Sequence, residues 1–204
     1  MAVETAPRDV ALLCIGRELL KGNTLDRNAH WLAGRVERCG LRCWRFSVVD
    51  DVPAEIEAEL GWVLGRGTRY LITTGGLGPT FDDMTIRCLA GGLGLPWRLD
   101  PLAEAQVAAA YHYLHARGLT PSPQLTPGRR KMAFLPAGAA ALRNPCGAAP
   151  GMRLEHGGAV LFSLPGVPEE MQAMFLLHVE PELAAAGGRR VRKEAEIAWH
   201  GRDE

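Results

Sequence analysis

Short apolar runs alternate with amphipathic segments along most of this chain. Val10–Ile15, residues 41–49 and Tyr70–Thr74 are apolar or β-branched runs of strand length. Between them, residues 26–39 and Pro53–Leu64 carry apolar side chains at helical spacing. Strands that alternate with helices at this interval are typical of a parallel sheet covered by helices on both faces. The pattern therefore predicts a three-layer α/β fold with a mostly parallel sheet.

The second half of the chain predicts shorter elements. A short apolar helix is expected over about residues 84–90, and an alanine-rich helix follows over residues 101–118. Residues 120–128 contain three prolines and predict an extended surface loop, whereas residues 171–183 predict a last helix. Four short strands, expected to form a small β-rich subregion, are predicted at residues 132–135, 141–142, 151–155 and 160–164.

The composition fits one main domain of a reduced, intracellular protein. The chain has 204 residues, 47% of them hydrophobic, which is enough for one sizeable core. Lys plus Arg and Asp plus Glu both number 23, so no broad basic field favours nucleic acid. No run approaches the roughly 18 apolar residues of a membrane span, and five scattered cysteines without a CxxC pair predict cytoplasmic thiols. The domain is expected over residues 8–185, with residues 186–204 a tail or the start of a further segment.

A glycine-rich loop follows the third predicted strand. Gly75, Gly76 and Gly78 stand between that strand and the next helix. Such a loop exposes several backbone N–H groups close together, and the helix N-terminus adds partial positive charge. This arrangement suits a phosphate or diphosphate, although glycines also occur wherever a tight turn needs positive φ.

Polar side chains surround the same loop. Asp82 and Asp83 could hold a divalent metal against a bound diphosphate, or they could cap the helix and favour its dipole. Thr80 and Thr85 offer hydroxyls to the same anion, or act as ordinary caps.

Further acids are expected at the same edge of the sheet. Glu18 follows the first strand, and Asp50 and Asp51 end the second. Because the carboxyl ends of parallel strands meet at one edge, three strand ends supply acids to one crevice, the usual ligand position in open α/β sheets. A second strand-loop-helix junction contains Pro165 and Gly166, whose rigid, open backbone suits a flat ring or ribose.

Several motifs resemble the CinA N-terminal domain, which has the MoaB/MogA molybdopterin-binding fold. Residues 15–20 with Asn28 are similar to its G-x-E-L-L…N opening, and residues 74–85 match its TGGLGPTxDDxT signature. Its N..G.APG and LPGxPxEM segments are matched by Asn144 with Gly147, residues 149–151 and residues 164–171.

The resemblance implies two related chemistries. CinA-type domains are associated with hydrolysis of ADP-ribose to AMP and ribose 5-phosphate, which depends on a divalent metal (Mg, Mn or Co) and potassium. MoaB/MogA proteins bind and adenylylate molybdopterin. By that resemblance Asp83 is the catalytic aspartate and Asp50 a second important acid, with Asp82 and Asp83 expected at the metal. Leu77 and Asp82 replace the threonine and arginine usual in MoaB/MogA proteins, which favours the CinA side.

The sequence therefore predicts a metal-dependent ADP-ribose pyrophosphatase. The alternatives are a molybdopterin-binding protein of molybdenum cofactor biosynthesis, and a non-catalytic module that binds a nucleotide or pterin. The resemblance also implies a homo-oligomer, either a dimer or a trimer.

Overall fold

The computed structural model describes residues 8–22 and 24–188. Eight strands lie in this part of the chain: β1 (Val10–Ile15), β2 (Cys43–Val49), β3 (Tyr70–Thr74), β4 (Trp97–Leu99), β5 (Phe134–Pro136), β6 (Ala140–Leu142), β7 (Gly151–His156) and β8 (Ala159–Leu164). Six of them form the central sheet in the order β2-β1-β3-β8-β7-β6, and β4 pairs with β5 in a small separate sheet.

Four neighbouring strands of the central sheet run parallel. The strand β1 pairs in parallel with both β2 and β3, and β3 pairs in parallel with β8. The carboxyl ends of these four strands therefore meet at one edge. The remaining strands, β7 and β6, are added in antiparallel pairs. The predicted mostly parallel sheet is confirmed. The four short strands do not form one subregion, because β6, β7 and β8 belong to the central sheet and β5 pairs with β4.

Helices cover both faces of the sheet. In chain order they are α1 (Arg17–Leu20), α2 (Arg27–Arg38), α3 (Pro53–Leu64), α4 (Thr85–Gly92), α5 (Pro101–Ala116), α6 (Pro127–Lys131), α7 (Pro168–Met174) and α8 (Glu180–Gly187). Successive side chains of a strand point to opposite faces. On β1, Val10 and Leu12 pack in the core layer that contains α2, α7 and α8, whereas Ala11 and Leu13 pack in the layer that contains α3, α4 and α5.

Part of the predicted proline-rich loop is a helix. Residues 121–126 are irregular, but α6 begins at Pro127, where Thr126 accepts a hydrogen bond from the N–H of Arg129. A five-residue helix is too short to show an apolar period, so hydrophobic patterning did not reveal it. The short elements α1 and β4 were missed for the same reason.

Two helix boundaries also differ from the prediction. The helix α4 begins at Thr85, so Asp83 lies before it, and its N-cap residue Met84 makes no side-chain capping bond. Neither predicted aspartate therefore caps the helix. The last helix begins earlier, at Pro168, and a π-helical segment, Phe175–Val179, joins α7 to α8.

Within the described residues, no helix has both the length and the apolar character needed to cross a membrane. Most of the predicted tail, from residue 189 onwards, lies outside the described part of the chain.

Candidate functional site

The loop after β3 is folded tightly through its glycines. Gly75 and Gly76 have φ values of 96° and 65°, in the left-handed region that favours glycine. A Cβ on Gly75 would overlap the carbonyl oxygen of Ile15, and one on Gly76 would overlap the hydroxyl of Thr85. The fully buried Thr85 donates its hydroxyl to the Gly75 carbonyl at 2.9 Å. Thr85 therefore supports the loop from inside the protein, and its predicted contact with an anion does not fit this geometry.

Three backbone donors of this loop are available to a ligand. The N–H of Gly75 donates to the Leu164 carbonyl at 3.1 Å, so this donor is already used. No acceptor in the described part of the chain takes the N–H groups of Gly76, Leu77 or Gly78. They precede α4, whose N-terminus adds positive potential.

The loop after β8 packs against the glycine loop. A Cβ on Gly166 would lie 3.3 Å from the Cα of Gly75, so the two backbones are in close contact. The carboxamide nitrogen of Asn28 donates to the Gly166 carbonyl at 2.7 Å and thereby ties this loop to the start of α2. The two junctions predicted from sequence are thus neighbours.

These loops border a cleft of about 500 Å³ at the carboxyl edge of the parallel strands. The cleft has the size of small-molecule sites in proteins. The predicted residues that line it are Glu18, Gly75, Gly76, Gly78, Asp82, Asp83, Pro165 and Gly166. Three other predicted residues, Asp50, Thr80 and Thr85, do not line it. Binding and catalytic roles for all of these residues remain predictions.

The two aspartates after β2 have different surroundings. Arg17 donates to the Asp50 carboxylate at 2.9 Å, and this hydrogen bond holds the pKa of Asp50 below its ordinary value. Asp51 lines the cleft and accepts from the backbone N–H of Arg17 at 3.0 Å. Burial, helped by the charges of Glu18, Asp50 and Asp82, raises the pKa of Asp51. Asp51 therefore lies in the cleft lining, whereas Asp50, also expected there, pairs with Arg17 outside it.

Thr80 joins the two aspartates of the acidic loop, residues 79–83. Its hydroxyl lies 2.6 Å from a carboxylate oxygen of Asp82 and 2.6 Å from one of Asp83. The same Asp83 oxygen accepts from the Thr80 N–H at 2.9 Å, and the hydroxyl contact lowers the pKa of Asp82. Asp83 therefore stabilises the turn that presents both carboxylates.

Lys131 of α6 fastens this acidic loop from the other side. Its ammonium donates to the carbonyl of Asp83 at 2.6 Å and also to that of Thr80. Burial lowers the pKa of Lys131, opposed by the charges of Asp83 and Asp82. Sequence reasoning missed this residue, although Thr126 followed by Pro127 is a recognisable helix start.

The cleft is acidic. Six carboxylates line it, from Glu18, Asp26, Asp51, Asp82, Asp83 and Glu170, and the lining drawn from the described residues contains no Lys or Arg. Among those residues, no group of three or more His, Cys, Asp or Glu side chains is arranged to hold a metal ion. The paired oxygens of Asp82 and Asp83 suit a hard cation, which would need further oxygens from a ligand or water.

Asn144, from the N..G.APG motif, builds another wall of the cleft. Its carboxamide donates to the Glu170 carboxylate at 2.6 Å and to the Ala149 carbonyl at 3.0 Å, and it accepts from the Gly147 N–H at 2.8 Å. Glu170 and Ala149 both line the cleft. This motif therefore shapes the pocket, a role that its sequence alone did not reveal.

A family model described as "Probable molybdopterin binding domain" matches residues 11–185, which is most of the chain. The chain belongs to this family. Within it the chain is CinA-like, as its motifs predicted: the CinA-like protein of Parasynechococcus marenigrum is 42% identical over 184 residues. That match covers 90% of this chain and 42% of the cyanobacterial protein, so the chain spans less than half of that relative.

An archaeal relative and two solved structures extend the comparison. Protein TK1472 of Thermococcus kodakarensis is 42% identical over 88% of this chain and 70% of its own length. The crystal structure of CinA from Thermoplasma acidophilum, described as of unknown function, has 33% identity and a TM-score of 0.76 over 87% of this chain and 98% of that one. MoaB from Thermus thermophilus has 17% identity and a TM-score of 0.54 over 89% and 97%, respectively, which shows a shared fold. The predicted MoaB/MogA-like fold is confirmed.

These comparisons support the molybdopterin-binding alternative better than the predicted ADP-ribose hydrolase. The family description names molybdopterin binding, and none of these relatives or structures is described as acting on ADP-ribose.

Proposed function

We propose that the cleft binds a phosphate-bearing pterin of the molybdopterin class. The observation that carries this proposal is the set of three N–H groups at Gly76, Leu77 and Gly78, which have no protein acceptor in the described chain and border the cleft. Backbone donors at a helix N-terminus hold a phosphate without needing a basic side chain. The family match to a molybdopterin-binding domain supports the same ligand class.

The remainder of the cleft suits a flat polar ring. Pro165 and Gly166 form a rigid wall, Tyr111 and Met132 contribute apolar surface, and carboxylates supply hydrogen-bond acceptors. A pterin has two flat apolar faces and an edge rich in N–H donors. Its faces would pack against the apolar wall, and its edge would donate to the carboxylates.

The proposal is tested by calorimetric titration with 6-hydroxymethylpterin monophosphate, a stable compound of this class. We expect saturable 1:1 binding that Gly166→Val weakens about tenfold or more, because the added side chain separates the two loops that meet at Gly75. Gly34→Val is the matched control, since Gly34 lies in α2 with open space around it. No binding by the wild type, or equal weakening by both substitutions, would contradict the proposal.

A second candidate is the metal-dependent hydrolysis of a nucleotide diphosphate such as ADP-ribose. The observation that favours it is the pair Asp82 and Asp83, whose carboxylates lie within hydrogen-bonding distance of one hydroxyl at an acidic cleft. A divalent cation held there would offset the repulsion between diphosphate and carboxylates and would stabilise negative charge on the phosphorus oxygens. Asp83 and Asp82 would hold the ion, with the glycine loop orienting the phosphate.

Turnover of ADP-ribose with Mg²⁺, Mn²⁺ or Co²⁺, with and without K⁺, separates the two candidates. If hydrolysis occurs, Asp83→Asn should lower the rate by at least about a hundredfold, on the scale of losing a principal electrostatic stabiliser. Asp100→Asn, at the start of α5, should leave it unchanged, because that side chain only caps its helix. Tight pterin binding without any ADP-ribose turnover would support the pterin-binding candidate and exclude the hydrolase candidate.

A further inference from the structure

The helix α6 contacts the acidic loop at both of its ends. A Cβ on Gly128 would lie 2.6 Å from the carbonyl oxygen of Pro79, so the backbone at the start of α6 packs directly against the first residue of the loop. At the end of the same helix, Lys131 donates to the carbonyls of Thr80 and Asp83. The helix therefore contacts the first, second and last residues of the acidic loop.

The helix α6 is itself fixed to α5. Arg129 donates to the Ser122 carbonyl at 2.6 Å, and its guanidinium lies 3.8 Å from the centre of the Tyr111 ring. Arg130 pairs with Glu104 at 2.7 Å. Tyr111 and Glu104 both belong to α5, a helix of 16 residues. The contacts with the acidic loop are thus made from a firmly supported element.

The positions of the Asp82 and Asp83 carboxylates depend on the backbone that α6 contacts. The Thr80 hydroxyl bonds both carboxylates, and the Thr80 carbonyl is one of the two that Lys131 binds. Neither Gly128 nor Lys131 lines the cleft, so both act through the loop. We propose that Gly128 and Lys131 are positioning residues that orient the two carboxylates for a divalent cation. This inference rests on the metal-dependent candidate function and adds the residues that orient its ligands.

A purely electrostatic role for Lys131 predicts the opposite effect. An ammonium close to a cation site repels the cation, so removal of that charge alone would strengthen cation binding. Loss of the hydrogen bonds to two loop carbonyls weakens cation binding when these bonds orient the ligands, as groups that support metal ligands do. The direction of the change in Lys131→Met therefore separates the two roles.

Gly128→Ala tests the positioning role without any change of charge. The φ of Gly128 is not positive and alanine favours a helix, but the added methyl group must displace the Pro79 carbonyl. We expect Mn²⁺ binding, measured from the EPR signal of the free ion, to weaken about tenfold or more. Gly61→Ala is the matched control, because nothing lies within 4 Å of a Cβ added to Gly61 in α3. It should bind Mn²⁺ like the wild type.

Variants of Lys131 test the second contact. Lys131→Met should weaken Mn²⁺ binding about tenfold, whereas Lys131→Arg, which still offers several N–H donors, should stay within about threefold of the wild type. Arg130→Met removes a charge from the same helix, but Arg130 pairs with Glu104 outside the cleft. This control should leave Mn²⁺ affinity unchanged.

The outcomes distinguish the positioning role from the metal site itself. Wild-type affinity in Gly128→Ala, or tighter binding by Lys131→Met, overturns the positioning role. If Asp83→Asn loses Mn²⁺ while both of those variants keep it, the metal-dependent candidate stands without any role for α6. Absence of Mn²⁺ binding by the wild type, or equal affinity in the wild type and Asp83→Asn, overturns both.

Discussion

Glycines occupy both ends of the parallel strands, but for different physical reasons. At the carboxyl edge, Gly75 and Gly76 combine positive φ with neighbours that leave no room for a Cβ. At the opposite edge, Gly67 and Gly158 also have positive φ, 73° and 82°, yet nothing lies within 4 Å of a Cβ added to either. The second pair only turns the chain. The first pair also packs tightly, Gly75 against the Ile15 carbonyl and Gly76 against the Thr85 hydroxyl.

The largest effect should come from substituting one glycine at each edge. Gly76→Ala should destabilise the fold by at least about 3 kcal/mol, because the alanine would have to keep positive φ and its methyl group would overlap the Thr85 hydroxyl. Gly158→Ala should cost about 1 kcal/mol from the backbone conformation alone. Urea unfolding of both variants measures the difference, and equal losses would contradict the contrast between the two edges.

A pair of buried threonines gives a smaller and more specific contrast. Thr85 donates its hydroxyl to the Gly75 carbonyl at 2.9 Å, and at the other edge Thr68 donates to the Val63 carbonyl at 2.8 Å. Replacing either with Val should cost about 1–3 kcal/mol of stability, since each carbonyl loses a donor. Only Thr85→Val should also weaken binding of the pterin phosphate, because only that bond shapes the glycine loop. Calorimetry would contradict this account if both variants bound the ligand as tightly as the wild type.

The smallest effect concerns charge at the carboxyl edge. Arg17 lowers the pKa of Asp50, so this pair stabilises the fold above the ordinary aspartate pKa and loses that contribution as the pH falls. Arg17→Ala should raise the pKa of Asp50 towards its ordinary value. The variant should be slightly less stable than the wild type at neutral pH, and this difference should disappear at acid pH, where Asp50 is protonated. The pKa of Asp51 should stay raised in this variant, because burial is its main cause. Carboxyl-carbon NMR titration of both residues checks this, and an unchanged Asp50 titration would contradict it.

The sequence predicted the features that follow from periodicity and chain direction. The runs at β1, β3 and β8 are mostly apolar or β-branched, and parallel strands bring Glu18, the acids after β2 and the acids after β3 to one edge. Patterning could not decide between Asp50 and Asp51, because consecutive side chains at a strand end point in different directions.

Contacts between residues that are far apart in the sequence could not be predicted from local patterns either. Lys131 reaches the acidic loop from a helix of only five residues, across 48 positions from Asp83. Asn28 reaches Gly166 across 138 positions, so its carboxamide orientation could be known only from the fold. Local patterns thus located the site, and the structure supplied the pairing of its side chains.

The most direct test of the central claim is a crystal structure of the protein with 6-hydroxymethylpterin monophosphate bound. We predict that phosphate oxygens accept hydrogen bonds from the N–H groups of Gly76, Leu77 and Gly78, with the ring between Gly166 and the start of α2. A phosphate bound elsewhere on the protein, with none of these three donors in contact with it, would contradict the account.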